Sequence, residues 1–438
     1  MLILLFTIVG YYDGFGQTVR YQNSIKGGFA LAGNSLGLRA NTFANTAGGT
    51  TMSSTSDLVL PAGSTIVKAI LYVEAYAKGT LGGTMKQITG IKFKVGAGAF
   101  VPLTPTSPGF LANPLSTSKE YGQFIIDVTS LVPAQGYITT VTPGGSALTT
   151  GRYAVGDVTP TVTDNQGYGW ALFIVYTNPV SQYRNITIAD ACLTSQGASL
   201  IIPNVIVPSF GTVKAVIGVT GSYGDIGLLD YCGIGIQGGP VPVLKDPTTG
   251  LTSDILNSTV GFALANNVTA DGGATIDGDF KGRNPYNTFD KPLLSGTWYS
   301  YWYDADIIDA TGSLPNSPTP INVNLIQVSA GSAGGSEFIG YGAYGVSIDI
   351  VAAKLTKALA PKQIYSGERA TYTFTIDNTS SGAINLSNIG FTDNIPAGLM
   401  IANPNNVVIT GGTGGTVVAV PGTNVFTLSG FNLNGGAT

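Results

Sequence analysis

The stretch that most constrains the fold is residues 167–188, which opens with the uninterrupted apolar run WALFIVY at residues 170–176. A short run this rich in β-branched and aromatic residues is typical of a strand buried on both faces, because a strand with one wet face alternates instead. Asn178 and Pro179 then end the run, since proline cannot donate to a strand ladder. Residues 184–188 alternate like a half-buried strand. We therefore predict a hairpin-like unit at the centre of a large β-sandwich.

The rest of the composition agrees with an all-β chain. Charged residues are 10% of the total, against about 25% in ordinary domains. Glycine accounts for 61 of 438 residues, which favours many turns between short strands. No stretch keeps a 3.6-residue apolar period with caps, so little helix is expected. Residues 18–56, rich in Gly, Asn, Ser and Thr, are predicted to hold weak strands at best.

The ionisable residues exclude several classes of function. The chain has no histidine, which rules out Ser-His-Asp and Cys-His catalysis and every histidine-ligated metal site. Its net charge is −4, and no basic cluster is present, so binding of nucleic acid by phosphate neutralisation is not expected.

The N-terminus predicts export. Residues 1–10 (MLILLFTIVG) are apolar but too short to span a bilayer. Gly14 and Gly16 flank Phe15 in the small-x-small pattern of a signal-peptidase site, although the usual basic region is missing. We predict a signal peptide at residues 1–16, a large β-sandwich head domain at 17–351 and a smaller sandwich at 352–438. No later segment predicts a transmembrane helix, so the mature chain is expected to be secreted.

The smaller domain carries a recognisable pattern. Residues 370–377 alternate between apolar and polar without a fault, as in a sandwich strand with one wet face. Further strands are expected at residues 387–392, 407–410, 416–420 and 424–428. The segments KLTK (354–357), TFTIDNT (373–379) and FTDNIPAGL (391–399) resemble the immunoglobulin-like conserved-repeat domain found, often in tandem, in large bacterial surface proteins.

The head resembles the module that often precedes such repeats. The matching segments are LPAG (60–63), FIIDVTSLV (124–132), GWAL (169–172), YRNIT (183–187) and YGDIG (223–227). The match departs at Val73 and Glu74, where that module often places a tryptophan. The resemblance implies a jelly-roll-like head, a role in adhesion or cell-surface architecture and no catalytic residues. It also implies that the repeat is incomplete at Thr438, with further strands expected after it.

The sequence allows two covalent states for Cys192 and Cys232. As a disulfide they would close a loop of about 40 residues and contribute about 4 kcal/mol in the chain-entropy model. As buried thiols they would simply pack in the core. An exported location favours the disulfide, and the sequence leaves both open.

Residues 271–309 concentrate carboxylates, and calcium is the one candidate cofactor. Calcium takes about six to eight oxygen ligands, which Asp-rich loops supply. The spacing does not match an EF-hand, and solvated turn aspartates are the competing interpretation. The candidate ligands are Asp271, Asp277, Asp279, Asp304 and Asp306.

Three further candidates come from side-chain chemistry. Trp298, Trp302 and Tyr303 form an aromatic group suited to stacking on sugar rings, although core packing explains it as well. A glycosidase-type carboxylate pair has no specific signal among 24 acidic residues. An intramolecular isopeptide bond from Lys354 or Lys357 would show as a loss of ammonia or water in the mass.

The combined interpretation is a secreted, non-enzymatic surface protein, adhesin-like or structural. The alternatives are a calcium-supported carbohydrate-binding module and a protomer of an extracellular fibre assembled by strand pairing. A carbohydrate-active enzyme is the least favoured reading. The expected partners are an extracellular glycan, a protein surface or copies of the same chain, with no nucleic acid.

Overall fold

The computed structural model describes residues 17–38, 42–43, 52–57, 60–61, 63–78, 90–96, 98–104, 110–116, 119–134, 152–158, 167–193, 199–222, 230–244, 303–329 and 340–438. These residues form strands and turns and contain no helix, which confirms the all-β prediction. The predicted signal peptide and all of residues 245–302 lie outside the described residues.

The first twelve described strands are β1 (Thr18–Ser35), β2 (Gly37–Leu38), β3 (Thr42–Phe43), β4 (Met52–Asp57), β5 (Thr65–Lys78), β6 (Lys92–Val95), β7 (Val101–Pro102), β8 (Phe110–Ser116), β9 (Lys119–Asp127), β10 (Arg152–Val158), β11 (Gly167–Thr177) and β12 (Tyr183–Leu193). The later strands are β13 (Ser199–Val205), β14 (Ala215–Ser222), β15 (Asp230–Ile236), β16 (Tyr303–Asp309), β17 (Ile321–Ser329), β18 (Gly340–Ile350), β19 (Lys354–Ala360), β20 (Thr371–Asp377), β21 (Leu386–Asn394), β22 (Thr413–Ala419) and β23 (Val425–Leu433).

A nine-stranded antiparallel sheet organises the head, in the order β16-β14-β18-β12-β1-β11-β5-β9-β8. Strand β1 joins its two halves, because its first part pairs with β12 and its second part, from Gly27, pairs with β11. The change of partner falls at Gly27, where a Cβ would collide with the carbonyl oxygen of Tyr176. The absence of a side chain therefore allows β1 to cross from one half of the sheet to the other.

The two halves of the sheet pack face to face. One apolar cluster takes residues from β5, β9 and β11 in one half and from β12, β16 and β18 in the other. At its centre, the rings of Phe29 and Phe173 lie over Gly218 and Gly345, which are paired across β14 and β18. We call this cluster the inner core.

Each half is covered on its outer face by a smaller sheet. The four-stranded sheet β4-β10-β6-β7 packs on the half that contains β5 and β11. The three-stranded sheet β13-β17-β15 packs on the half that contains β12, β14 and β18. The head is therefore built of four layers of strands.

Strand β11 confirms the prediction of a strand buried on both faces. One face of β11 packs in the core between this half of the sheet and the four-stranded sheet that covers it, through Trp170, Leu172, Ile174 and Tyr176. The residues between them pack in the inner core. All are fully buried. The predicted hairpin of β11 with β12 is wrong, however, because both strands pair with β1, which lies between them.

The C-terminal unit, residues 354–438, has two small sheets, β19-β20 and β21-β23-β22. The rings of Phe374, Phe391 and Phe426 meet between them, with centroids 4.6–5.7 Å apart. The strand predicted at residues 407–410 is wrong, because this segment is exposed and pairs with no strand.

The C-terminal unit is tied to the head through backbone contacts. The amide of Ser209 donates to the carbonyl of Ala383 at 3.0 Å, and the amide of Val351 donates to the carbonyl of Gly382 at 3.0 Å. Ala383 is completely buried at this junction. The junction is thus a packed contact that fixes the start of the unit against the head.

Candidate functional site

The predicted calcium and aromatic sites fall largely outside the described residues. Asp271, Asp277, Asp279, Trp298 and Trp302 all lie there. Among the residues that the structure does describe, no three His, Cys, Asp or Glu side chains lie close enough together to hold a metal ion.

The remaining members of those two sites belong to strand β16. The backbone of Tyr303, Asp304 and Asp306 pairs with β14 between Ser222 and Val219. These residues are therefore part of a ladder and not of the turn or loop that the sequence analysis assumed for the aspartates.

The two cysteines lie on different layers of the head. Cys192 is near the end of β12 in the nine-stranded sheet, and Cys232 is buried on β15 in the covering sheet. The side chain of Cys192 lies outside the described residues, so a disulfide between the two stays a prediction.

The most unusual ionisable group that the structure describes is Glu74, on β5. Its side chain is completely buried in the head, at the contact between the two halves of the nine-stranded sheet. Its Oε1 accepts hydrogen bonds from Thr220 Oγ1 at 2.6 Å and from Gln123 Nε2 at 3.0 Å. Thr220 belongs to β14, so the carboxyl group links one half of the sheet to the other.

The backbone of β18 approaches this carboxyl group closely. Thr220 Oγ1 accepts a hydrogen bond from the amide of Ala343 at 2.7 Å while it donates to Glu74. A Cβ at the neighbouring Gly342 would collide with Thr220 Oγ1 and would lie 2.5 Å from Glu74 Oε1. Glycine at this position therefore leaves the space that the carboxyl group occupies.

Burial raises the pKa of Glu74 from 4.5 to about 7. Hydrogen bonds from Thr220, Gln123 and Tyr121 oppose this rise, and the nearby charge of Asp190 adds to it. The second oxygen of Glu74, Oε2, and the side-chain oxygen of Gln123, Oε1, are buried acceptors with no hydrogen-bond donor. Protonation of Glu74 would turn its carboxyl group into a donor as well.

A second buried carboxyl group, Asp190 on β12, lies in the same region. Arg20 on β1 donates to it from Nε at 2.5 Å and from Nη2 at 3.3 Å, and the hydroxyl of Tyr72 donates at 3.3 Å. Burial raises the pKa of Asp190, and the Arg20 guanidinium opposes that rise. Since Tyr72 belongs to β5, this cluster also joins the two halves of the sheet.

These two groups form a sealed polar cluster. Glu74, Gln123, Asp190 and Thr220 are each 0% exposed, and Arg20 covers the cluster at its edge. The carboxyl groups of Glu74 and Asp190 accept hydrogen bonds from other side chains of the head. The arrangement can hold a proton and fix the packing of the two halves of the sheet.

Sequence reasoning missed this cluster, although one signal was present. Glutamate occurs only four times in the chain, and Glu74 falls inside the apolar stretch IVKAILYVEAY at residues 66–76. A carboxyl group in the middle of a buried strand needs partners from other strands. Those partners, Gln123 and Thr220, are 49 and 146 residues away, which a single sequence does not reveal.

The C-terminal unit has an ion pair between its two sheets. Lys357 Nζ on β19 lies 2.6 Å from Asp393 Oδ2 on β21, and 4.5 Å from the centre of the Tyr372 ring. The side chains of Lys357 and Asp393 are 32% and 22% exposed. Lys357 is one of the two lysines, with Lys354, for which the sequence suggested an isopeptide bond, and the structure places a carboxyl group beside it.

The last part of the C-terminal unit is uncharged. Residues 395–438 contain no Lys, Arg, Asp or Glu. Several of their large side chains are exposed nonetheless. We call five of them the valine surface: Val407, Val408, Ile409, Val418 and Val420, which are 45%, 80%, 42%, 52% and 52% exposed.

The comparisons with known proteins inform the C-terminal unit and leave the head open. Residues 354–438 match the model of a family described as a domain of unknown function (DUF7933). No curated protein matches the chain. Among solved structures, a recombinant N-glycanase F (PNGase F) aligns with 74% of this chain and 96% of its own, at 11% identity. Its TM-score of 0.21 is too low for any argument about the head.

No helix in the described part of the chain is long and apolar enough to cross a membrane. The β-rich fold and the matched domain are consistent with a structural or binding protein. The C-terminal unit fits an uncharacterised β-rich domain family, at the place where the sequence resembles a conserved-repeat module.

Proposed function

We propose that this chain is a non-enzymatic structural or adhesive protein of the cell surface, which presents the four-layered head on an immunoglobulin-like unit. The proposal rests on where the structure places the buried carboxyl groups of the head and the exposed apolar side chains. The buried carboxyl groups Glu74 and Asp190 are engaged inside the head, while exposed apolar side chains collect on the C-terminal unit. Accessible apolar patches are typical of interaction surfaces.

Export is supported by the sequence of residues 1–16 and by the resemblance of the C-terminal unit to repeats of bacterial surface proteins. The packed junction at Ser209 and Ala383 also suits a surface role, because it holds the head in one orientation on the unit that carries it. Under this proposal the partners of the head are an extracellular glycan or a protein surface.

The proposal is tested by treating intact cells with a protease and following the head with an antibody. Loss of the signal from intact cells, at a protease level that spares a cytoplasmic marker, is the expected result. Full protection until the cells are lysed would contradict surface display.

The absence of catalysis is tested separately with a panel of polysaccharides and glycopeptides. No turnover is expected. Turnover by the natural chain that is lost in Asp190→Asn would show that the buried cluster opens to substrate, and it would overturn the non-enzymatic assignment.

A calcium-supported carbohydrate-binding role is the second candidate. It is favoured by Asp304 and Asp306, two residues apart on β16, which is the last strand at one side of the nine-stranded sheet in the described part of the chain. Calcium titration and a glycan array with and without EDTA test it. Binding that is lost both with EDTA and in Asp304→Asn would support this role, and a flat array under both conditions would remove it.

A further inference from the structure

The last residues of the sequence include one Asn-Gly pair, Asn434 and Gly435, and no other asparagine in the sequence precedes a glycine. Such a pair can lose ammonia without a catalyst, because glycine has no side chain to keep its backbone nitrogen away from the preceding amide. The nitrogen of Gly435 attacks Cγ of Asn434, the bond from Cγ to Nδ2 breaks, and ammonia leaves. Water then opens the succinimide to aspartate, or to isoaspartate, in which the backbone runs through Cγ.

The structure leaves one reacting group of this pair accessible and restrains the other. Asn434 is exposed, and its hydrogen bonds involve its backbone carbonyl, which accepts from Asn378 Nδ2 at 3.1 Å and from the amide of Ala437 at 3.2 Å. Gly435, by contrast, donates its amide hydrogen to Oδ1 of Asn385 at 2.9 Å. The nitrogen that would attack must therefore give up this hydrogen bond first.

Gly435 is also packed at the junction between the head and the C-terminal unit. A Cβ at this position would collide with Oγ of Ser209 in the head and would lie 2.9 Å from the carbonyl oxygen of Ala383. That carbonyl accepts from both the amide and Oγ of Ser209 at 3.0 Å. Asn385, the acceptor for Gly435, lies two residues after Ala383. Both restraints on Gly435 therefore belong to the same junction.

The turn at residues 434–437 closes the C-terminal unit on itself beside this junction. The amide of Asn378 donates to the carbonyl of Ala437 at 3.0 Å, and its carbonyl accepts from the amide of Gly436 at 2.8 Å. Asn378 is 1% exposed, and its Nδ2 also donates to the carbonyl of Ile384 at 2.9 Å. An isoaspartate at residue 434 adds one carbon to the backbone, so it would move the turn out of register with Asn378.

We propose that Asn434 is a site of self-modification, which is blocked while the junction is closed and reacts after the junction opens. In the closed form, Asn385 holds the attacking nitrogen and Ser209 confines the backbone around it. Opening releases both restraints. The product has a longer backbone and a new carboxylate in a segment that has no charge after Asp393, so it does not fit the closed junction. This inference goes beyond the proposed function, because it sets a limit on how long the head stays packed on the C-terminal unit.

The first test follows the C-terminal peptide by mass spectrometry while the natural chain is incubated at a mildly alkaline pH. The folded chain is expected to keep its amide, and the same chain unfolded in guanidinium chloride is expected to convert to the aspartate and isoaspartate peptides. A folded chain that converts as fast as the unfolded one overturns the proposal. So does an unfolded chain that keeps its amide.

The second test removes the acceptor for the Gly435 amide. Asn385→Ala should convert about three- to tenfold faster than the natural chain, which is the effect of losing one hydrogen bond. Asn385→Asp is the matched control, because it keeps an acceptor oxygen at the same place and should convert as slowly as the natural chain. Equal rates in the natural chain and both variants would overturn the proposal. Circular dichroism checks that both variants fold.

The third test concerns the junction itself and uses limited proteolysis near residue 352. The Asn385→Ala chain should be cut faster after its conversion than before it. Asn434→Asp carries the charge of the product without the additional backbone carbon, so it should be cut more slowly than the isoaspartate form. Equal cutting before and after conversion would overturn the link to the junction. None of these outcomes depends on export, so a failure here leaves the proposed function standing.

Discussion

The change Glu74→Gln tests whether the buried carboxyl group is neutral in the folded head. The substitution keeps the shape of the side chain and its Oε1 acceptor for Thr220 and Gln123. It also replaces Oε2, which has no hydrogen-bond donor, by an NH₂ group that carries no charge at any pH. The variant therefore copies the protonated acid and removes its titration.

The size of the effect follows from the pKa of Glu74, which rises from 4.5 to about 7 on folding. Because the folded state has the higher pKa, it holds the proton between these two values while the unfolded chain releases it. The contribution of Glu74 to the free energy of unfolding is therefore fully present below pH 4.5 and is lost as the pH rises through about 7. At about 1.4 kcal/mol per pH unit, the loss amounts to about 3 kcal/mol.

The assay is urea unfolding followed by tryptophan fluorescence at about pH 5 and about pH 8. All three tryptophans precede residue 354, so the signal reports on the head. At the lower pH the variant and the natural chain should differ by less than about 1 kcal/mol. At the higher pH the variant should be more stable by up to about 3 kcal/mol.

Glu368→Gln is the control, because Glu368 is exposed on the C-terminal unit and should leave the pH dependence of the head unchanged. A Glu74→Gln variant that is less stable than the natural chain at the higher pH would refute the reasoning. It would mean that the folded head holds Glu74 as a carboxylate and depends on that charge.

Three further predictions concern packing and covalent state. Gly218→Ala should lower the free energy of unfolding by about 1–3 kcal/mol in urea titrations, because its Cβ would lie 2.8 Å from Phe29 Cε2 in the inner core; an unchanged midpoint would count against the tight packing. Gly435→Ala should loosen the junction between head and C-terminal unit, since its Cβ would collide with Ser209 Oγ. Limited proteolysis near residue 352 should then be faster, and an unchanged rate would show that the junction does not depend on this contact. The intact mass should show no loss of water, because Lys357 and Asp393 are partly exposed and form an ion pair, and a protonated amine is not a nucleophile. A natural chain lighter than its sequence by one water, together with a Lys357→Met variant of the full expected mass, would show an isopeptide bond instead.

The elements that the sequence predicted well are those whose patterns depend on local burial. Residues 170–176 read as a strand buried on both faces because each side chain packs in one of two cores, and the structure confirms this. The alternation at residues 370–377 likewise predicted β20, which has its own sheet partner in β19.

The elements that were missed depend on distant partners. Strand β1 is 18 residues long, yet its sequence TVRYQNSIKGGFALAGNS is too polar and too rich in glycine to predict a long strand. It forms because β12 and β11 pair with its two parts in turn, and the folded-over sheet follows from that exchange. The Glu74 cluster was missed for the same reason, since its partners come from four separate strands.

The distribution of charge separates what stabilises this protein from what it presents. In the head, Glu74 and Asp190 are buried at the contact between the two halves of the sheet, where they fix its packing. In the C-terminal unit, every charged residue lies at or before Asp393, and the remaining residues through Thr438 have none. A soluble surface normally uses charge to prevent strand pairing. Around β22 a neighbouring segment of the same chain takes that place. The amide of Ile401 donates to the carbonyl of Thr423 at 2.8 Å, its carbonyl accepts from the amide of Gly422 at 2.9 Å, and Asn405 Nδ2 donates to the carbonyl of Ala419 at 2.7 Å.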